Sequence, residues 1–353
     1  MDPELLQLNL LLGLCWPKNI CFNNVLFKDL GYRIEAIEPH YKLSGSFTDE
    51  EKLEVWGDIT EPPSEERTIT PDLILVSEEL SSVLIVECAS GQFCDRKIKQ
   101  MKRYKLFDQP DLIHQMSLPS LGKNKNYKLN TILLVEKDYL VDYINNFKKH
   151  SFLEDIVILE VDFRENYLKL AYGRILDIKL HNLLLDEGIR FDSAIPVNLY
   201  PIKLDNEKET YIERIGLAIL KFQNIEKYNN IFTRDFIKEI YPQTIEYFDS
   251  HYINAISGKI CKTLNFMIEN DFKNKIKPVN PERGRNTHRN LHSPDNKWRI
   301  IEKPLQENRK SSTQKNKKTV TQIVDLLAQY VSQKDQKEDQ QTKFDLDSLG
   351  YKD

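Results

Sequence analysis

The stretch Thr70–Tyr104, TPDLILVSEELSSVLIVECASGQFCDRKIKQMKRY, decides how the rest of the chain reads. It opens with two short β-branched runs, PDLILVS and SVLIVECAS, separated by EELS, which is the pattern of a β-hairpin. The basic run DRKIKQMKRYKLF that follows has helical spacing. Asp72 opens the first strand and Glu87 lies near the end of the second, so pairing across the turn brings both carboxylates to one end. Alternation places Asp72 with Ile74 and Val76, and Glu87 with Ile85 and Ala89. A carboxylate that follows VLIV in a buried strand needs a partner. Two carboxylates on adjacent strands can converge on one hard cation, which prefers oxygen ligands.

Working outward, helix and strand alternate. The N-terminal run LLQLNLLLGLC predicts a helix packed on the core, too short and too polar in its flanks to span a bilayer. NNVLFKDLGYRIEAIEP predicts a helix to Leu30, a stop at Gly31 and then a strand. The charged stretch Thr48–Arg67 is expected to be a loop, with room for one short strand. Beyond the Thr70–Tyr104 segment, NTILLVEK is a strand, YLVDYINNFKKH a helix, and DIVILEVDF and YLKLAYG are strands. The expected class is α/β, one mixed sheet flanked by helices over residues 1–180.

A connector over 181–225 leads to an α-rich region, 226–302. There TRDFIKEIY and PQTIEYFDSHYINAISGKICKTLNFMIENDF precede a basic segment with strand-like ends, KIKPVNPERGRNTHRNLHSPDNKWRIIE. Helices followed by a basic hairpin predict a winged-helix-like DNA-binding domain. Asn254, Ser257, Lys259 and Lys262 would form the exposed face of its recognition helix, and Arg283, Arg285 and Arg289 would meet phosphates. Trp298 is expected in the core. From Lys303 to Asp353 the composition predicts a largely disordered polar tail. One amphipathic helix near 319–333 in that tail, with Val320, Ile323, Val324, Leu327, Tyr330 and Val331 on one face, would dock a partner protein or a second copy.

The constellation around the hairpin resembles the PD-(D/E)xK, or restriction-endonuclease-like, nucleases over about residues 20–175. The matching residues are Pro71-Asp72, Glu87-Cys88-Ala89 and the helix carrying Gln100 and Tyr104, whose QMKRY resembles the QxxxY helix of the RecB-like branch. The resemblance implies that Asp72 and Glu87 bind Mg²⁺ or Mn²⁺ and that Gln100 and Tyr104 orient the site or touch DNA. Where that family places a lysine, this chain has Ala89. Lys97 lies at i, i+3, i+7 with Gln100 and Tyr104, so it shares their face and is read as the replacement. Lys102 points elsewhere and is read as a DNA-backbone contact. The expected activity is metal-dependent DNA endonuclease, of the kind found in phage-defence systems or transposon-end nuclease subunits. The alternative is a catalytically inactive nuclease fold used for DNA binding or assembly.

The five cysteines form no CxxC pair, which fits a reducing, cytoplasmic setting and argues against a zinc site. Net charge is −4, which excludes a global electrostatic pull toward nucleic acid. The basic character is local. Phe272–Lys318 carries 14 Lys/Arg against the four acids Glu282, Asp295, Glu302 and Glu307. Phosphate contacts there would make binding salt-sensitive.

Overall fold

The computed structural model describes residues 3–16, 27–44, 47–57, 67–107, 126–186, 188–191, 195, 199–222, 230–270, 276–279 and 294–300. The chain divides into two compact units: Met1–Pro201 with Gln243–Tyr252, and Ile202–Pro242 with Ile253–Asp353.

In the first unit the expected mixed sheet is present, with seven strands in the order β1-β4-β5-β6-β7-β8-β9. Its members are β1 Tyr32–Ile37, β4 Leu73–Ser77, β5 Ser82–Ala89, β6 Lys128–Glu136, β7 Val157–Asp162, β8 Tyr167–Tyr172 and β9 Ile189–Arg190. A separate ribbon pairs β2 Tyr41–Lys42 with β3 Thr68–Ile69. β1, β4 and β5 form an antiparallel meander, and β5 pairs parallel with β6, as does β6 with β7. Parallel neighbours need a crossover. Between β5 and β6 it contains the helix α3, Asp95–Lys105, and between β6 and β7 it contains α4, Leu140–Phe147. β4 and β5 are buried along their whole length, which is why their sequences read as near-continuous apolar runs.

The N-terminal run forms α1, Pro3–Cys15. It is apolar on all sides and correspondingly buried, with Leu8, Leu10, Leu11, Leu12 and Leu14 at 0–1% exposure. Each such leucine contributes about 1.5–3 kcal/mol of burial free energy. Two polar residues inside this run are fully buried. Asn9 accepts from Tyr200 N–H at 2.9 Å and donates to Tyr200 C=O at 2.8 Å, pinning a segment 191 residues away.

One expectation is corrected. The Thr48–Arg67 stretch is not simply a loop, because it opens with α2, Asp49–Trp56. Thr48 and Glu51 form a reciprocal capping box. Glu51 N–H donates to Thr48 Oγ1 at 3.2 Å, and Thr48 N–H donates to Glu51 Oε2 at 2.8 Å. That satisfies two otherwise orphaned donors and outweighs the poor amphipathicity of a short charged segment. In the first unit the chain also forms α5, Ile178–Asp186.

The second unit runs α6 Lys208–Lys221, β10 Asn230–Phe232, α7 Thr233–Ile240, α8 Ser250–Glu269 (which begins in the first unit), β11 Ile276–Pro278 and β12 Lys297–Ile300. Its strands form a small antiparallel sheet of order β10-β12-β11. Trp298 is core, as expected. It is fully buried, and its indole N–H donates to Thr233 Oγ1 at 3.0 Å. Arg283, Arg285, Arg289 and the tail segment 303–353, with its expected helix, lie outside the described residues. Among the described residues no helix is long and apolar enough to cross a membrane.

Candidate active site

The hairpin and α3 bring together the five residues that the sequence singles out around Glu87. Leu73 pairs with Val86, and the same register carried one step further sets Asp72 opposite Glu87. Alternation then gives them the same face. α3 packs over that face through Ile98 and Met101, which join Ile85 and Ala89 in the core. Lys97, Gln100 and Tyr104, one turn apart on α3, are therefore buried with Glu87 while Lys99 on the other side is exposed.

Most of the buried polar groups in this cluster are hydrogen-bonded. Asp72 Oδ2 accepts from Cys88 N–H at 2.7 Å, which fixes the first carboxylate against the second strand. Lys97 Nζ donates to Glu87 Oε1 at 2.7 Å and to Cys88 C=O at 2.6 Å. Tyr104 Oη contacts Glu87 Oε2 at 2.7 Å and Thr70 C=O at 2.9 Å. Gln100 is 7% exposed, and its Oε1 has no hydrogen-bond partner among the described residues.

Two further side chains reach the site from α1, and sequence reasoning missed both. Glu4 Oε1 lies 3.4 Å from Lys97 Nζ. Gln7, one turn on, is fully buried and donates from Nε2 to Ala89 C=O at 3.0 Å, while its Oε1 has no partner among the described residues. The signal was a glutamine inside a leucine run, since a buried amide must find a partner.

Electrostatically, the Glu87 carboxyl is pushed up to about 7, first by burial and then by the Asp72 charge, against the lowering effects of Lys97 and Tyr104. Burial alone would lower the Lys97 ammonium, but Glu87, Asp72 and Glu4 hold it above the usual lysine range. Burial, reinforced by Glu87, holds the Tyr104 phenol well above its ordinary value. Tyr104 has one hydroxyl proton and two close acceptors, and Thr70 C=O cannot donate. Tyr104 Oη therefore shares its one proton between Glu87 Oε2 and Thr70 C=O.

The donor set is chemically suited to a hard divalent cation: two carboxylates and the Cys88 carbonyl, all oxygen. Among the described residues no group of three or more His, Cys, Asp or Glu could hold a metal ion. A cation here would therefore keep several waters, which is the habit of Mg²⁺. The buried Gln100 Oε1, without a partner among the described residues, belongs to a side chain on the same helix, α3, as Lys97 and Tyr104.

The DNA-contact candidates are dispersed. Lys102 Nζ is held by Glu54 of α2, at 2.5 Å from the carboxylate and 3.2 Å from its carbonyl. On α8, Asn254 and Lys262 are exposed. Ser257 is fully buried and donates to Ile253 C=O at 2.7 Å, and Lys259 folds back to donate to Asn206 C=O at 3.0 Å.

The MJECL32 domain matches residues 3–182, and the chain belongs to that family. The match takes in α1, β1–β8 and every residue of the cluster around Glu87. No curated protein and no solved structure matches the chain.

Proposed function

We propose that this member of the MJECL32 domain family is a metal-dependent DNA endonuclease of the restriction-endonuclease-like type, acting in the cytoplasm with Mg²⁺ or Mn²⁺. The observation that carries the reading is the contact of Lys97 Nζ with Glu87 Oε1 at 2.7 Å, because it puts a lysine from α3 where the Ala89 position cannot supply one. The order α1, β1, β4, β5, α3 and β6, with β2, α2 and β3 inserted between β1 and β4, supports the same reading.

In this account Asp72 and Glu87 hold the cation, which when bound supplies the positive charge that polarises a phosphodiester. The Cys88 N–H fixes Asp72, and Tyr104 fixes Glu87, so neither carboxylate has to reorganise. Lys97 places a second positive charge where negative charge builds on the phosphate during attack by water. Gln100 offers its unpartnered oxygen to orient a ligand in the site.

The second unit is read as a winged-helix-like module that places the nuclease on DNA. Supporting it are the helix-strand-helix-helix-strand-strand order and the β10-β12-β11 sheet. The basic segment Phe272–Lys318 would track phosphates, and the tail helix would dock a second copy or a partner protein.

The second reading is an inactive nuclease fold serving DNA binding or assembly. The same Lys97 contact favours it in one respect, since a tethered ammonium neutralises a carboxylate that a silent site retains. Supercoiled plasmid and single-stranded DNA, incubated with Mg²⁺ or Mn²⁺, decide between them. The nuclease reading expects cutting by the wild type, abolished by Glu87→Ala and by Lys97→Ala. Binding without cutting under every metal condition sinks it in favour of the scaffold.

A further inference from the structure

Lys97 sits in the part of the cluster that a cation would need. Its ammonium has three N–H donors and three oxygen neighbours: Glu87 Oε1 at 2.7 Å, Cys88 C=O at 2.6 Å and Glu4 Oε1 at 3.4 Å. The first two belong to the oxygen set on which a divalent ion would rest. A ligand oxygen lies about 2.0–2.1 Å from Mg²⁺. An ammonium contacting the same two oxygens cannot remain there beside the ion, since it would occupy the same space with the same sign of charge. The third neighbour is different. Glu4 stands on α1, outside the β4–β5 hairpin, and Gln7 one turn along the same helix presents a buried oxygen with no partner among the described residues.

We infer that Lys97 is a two-position side chain: its ammonium fills the Glu87–Cys88 oxygen pocket when no metal is present, and an entering divalent cation displaces it toward Glu4 and Gln7 on α1. This rests on the reading of Asp72 and Glu87 as cation ligands. The energetics favour such a device. Two carboxylates facing each other in a buried strand pair are costly without a counter-charge, and a tethered ammonium supplies one while the site waits. After the exchange the ammonium keeps a carboxylate partner, so it is never buried alone. It then lies beside the cation rather than in its place, which is where a charge on the attacked phosphate would meet it.

The test is Mn²⁺ binding by the full chain at pH 8.5, measured by calorimetry, for the wild type, Lys97→Met and Glu87→Gln. Coupling between two bound groups commonly changes affinity by about 5- to 150-fold. Lys97→Met is expected to bind Mn²⁺ about tenfold more tightly or better, and Glu87→Gln to lose binding. Equal or weaker binding by Lys97→Met, with Glu87→Gln still losing it, overturns the displacement and leaves the metal-site reading standing. No Mn²⁺ binding by either the wild type or Lys97→Met overturns both. A second measurement needs no variant. Acetylation of Lys97 in the wild type by a water-soluble acylating reagent, read by mass spectrometry, is expected to accelerate when Mn²⁺ is added. A rate unchanged by Mn²⁺ overturns the proposal even if Lys97→Met fails to fold.

Discussion

Lys97→Met removes one ammonium and keeps most of the side-chain volume, so its cost isolates the charge. The magnitude should depend on pH in a direction set by Glu87. A carboxyl whose folded pKa is raised stabilises the fold at low pH, and that stability is lost as pH climbs from its ordinary value through the raised one. In the wild type Glu87 is pushed up to about 7, so for this group the loss is complete just above neutrality. Without Lys97 a lowering influence disappears, and the loss must continue to higher pH. At pH 6 Glu87 is protonated with or without Lys97. The variant then forgoes mainly the contacts with Cys88 C=O and Glu4, about 1–2 kcal/mol. At pH 8.5 it must also hold a proton some 1.5 units above neutrality, at about 1.4 kcal/mol per unit, or leave a buried carboxylate unpaired. The expected total is about 3–5 kcal/mol, the range for breaking a buried ion pair from one side. Because the chain has two units, the reporter should be local. Hydrogen exchange of peptides spanning residues 82–89, at pH 6 and pH 8.5, reads the opening free energy of β5 directly. A gap between variant and wild type that is the same at both pH values, or larger at pH 6, would refute the reasoning.

Two other outcomes follow from the same cluster. Tyr104→Phe deletes the hydroxyl shared between Glu87 and Thr70, so a loss of about 1–3 kcal/mol is expected in the same exchange experiment, together with slower plasmid cutting. Normal stability and normal cutting would show that Tyr104 only fills space. Ala89→Lys places a second ammonium at a fully buried position beside the first, and should lower the melting temperature. Combined with Lys97→Met it should recover cutting relative to Lys97→Met alone. A double variant as inactive as the single one would count against any equivalence of the two positions.

Much of the site was legible because it follows from periodicity. The two-residue period of PDLILVS and SVLIVECAS put Asp72 and Glu87 on one face, and the helical spacing of DRKIKQMKRY put Lys97, Gln100 and Tyr104 on the facing side. These are local rules, and Ala89 could be read against them as a departure with a compensating lysine. What local rules could not supply was the share contributed by α1. Glu4 and Gln7 lie more than 80 residues from the groups they touch, Lys97 and Ala89, and nothing in a leucine-rich run says which neighbour its polar residues will meet. Helix α2 was legible in principle, since Thr48-Asp-Glu-Glu51 is a capping-box signature. The charged composition of its surroundings hid it. In the second unit the helices were readable from their apolar spacing, but the expected exposed face of α8 was not. Ser257 turned inward and Lys259 bent back to Asn206, because side-chain direction there is set by packing rather than by spacing.

The paired hydrogen bonds between Asn9 and the backbone of Tyr200 bear on how the molecule is made. The ribosome releases α1 first, yet its seat is built from later material: β5, and then the Leu199–Tyr200 segment. Synthesis proceeds at about 5–20 residues per second, so the Tyr200 part of that seat follows α1 by on the order of 10–40 seconds. A newborn chain therefore carries Glu4 and Gln7 before the hairpin and α3 that they meet, and the first unit is complete only when residues 243–252 have followed.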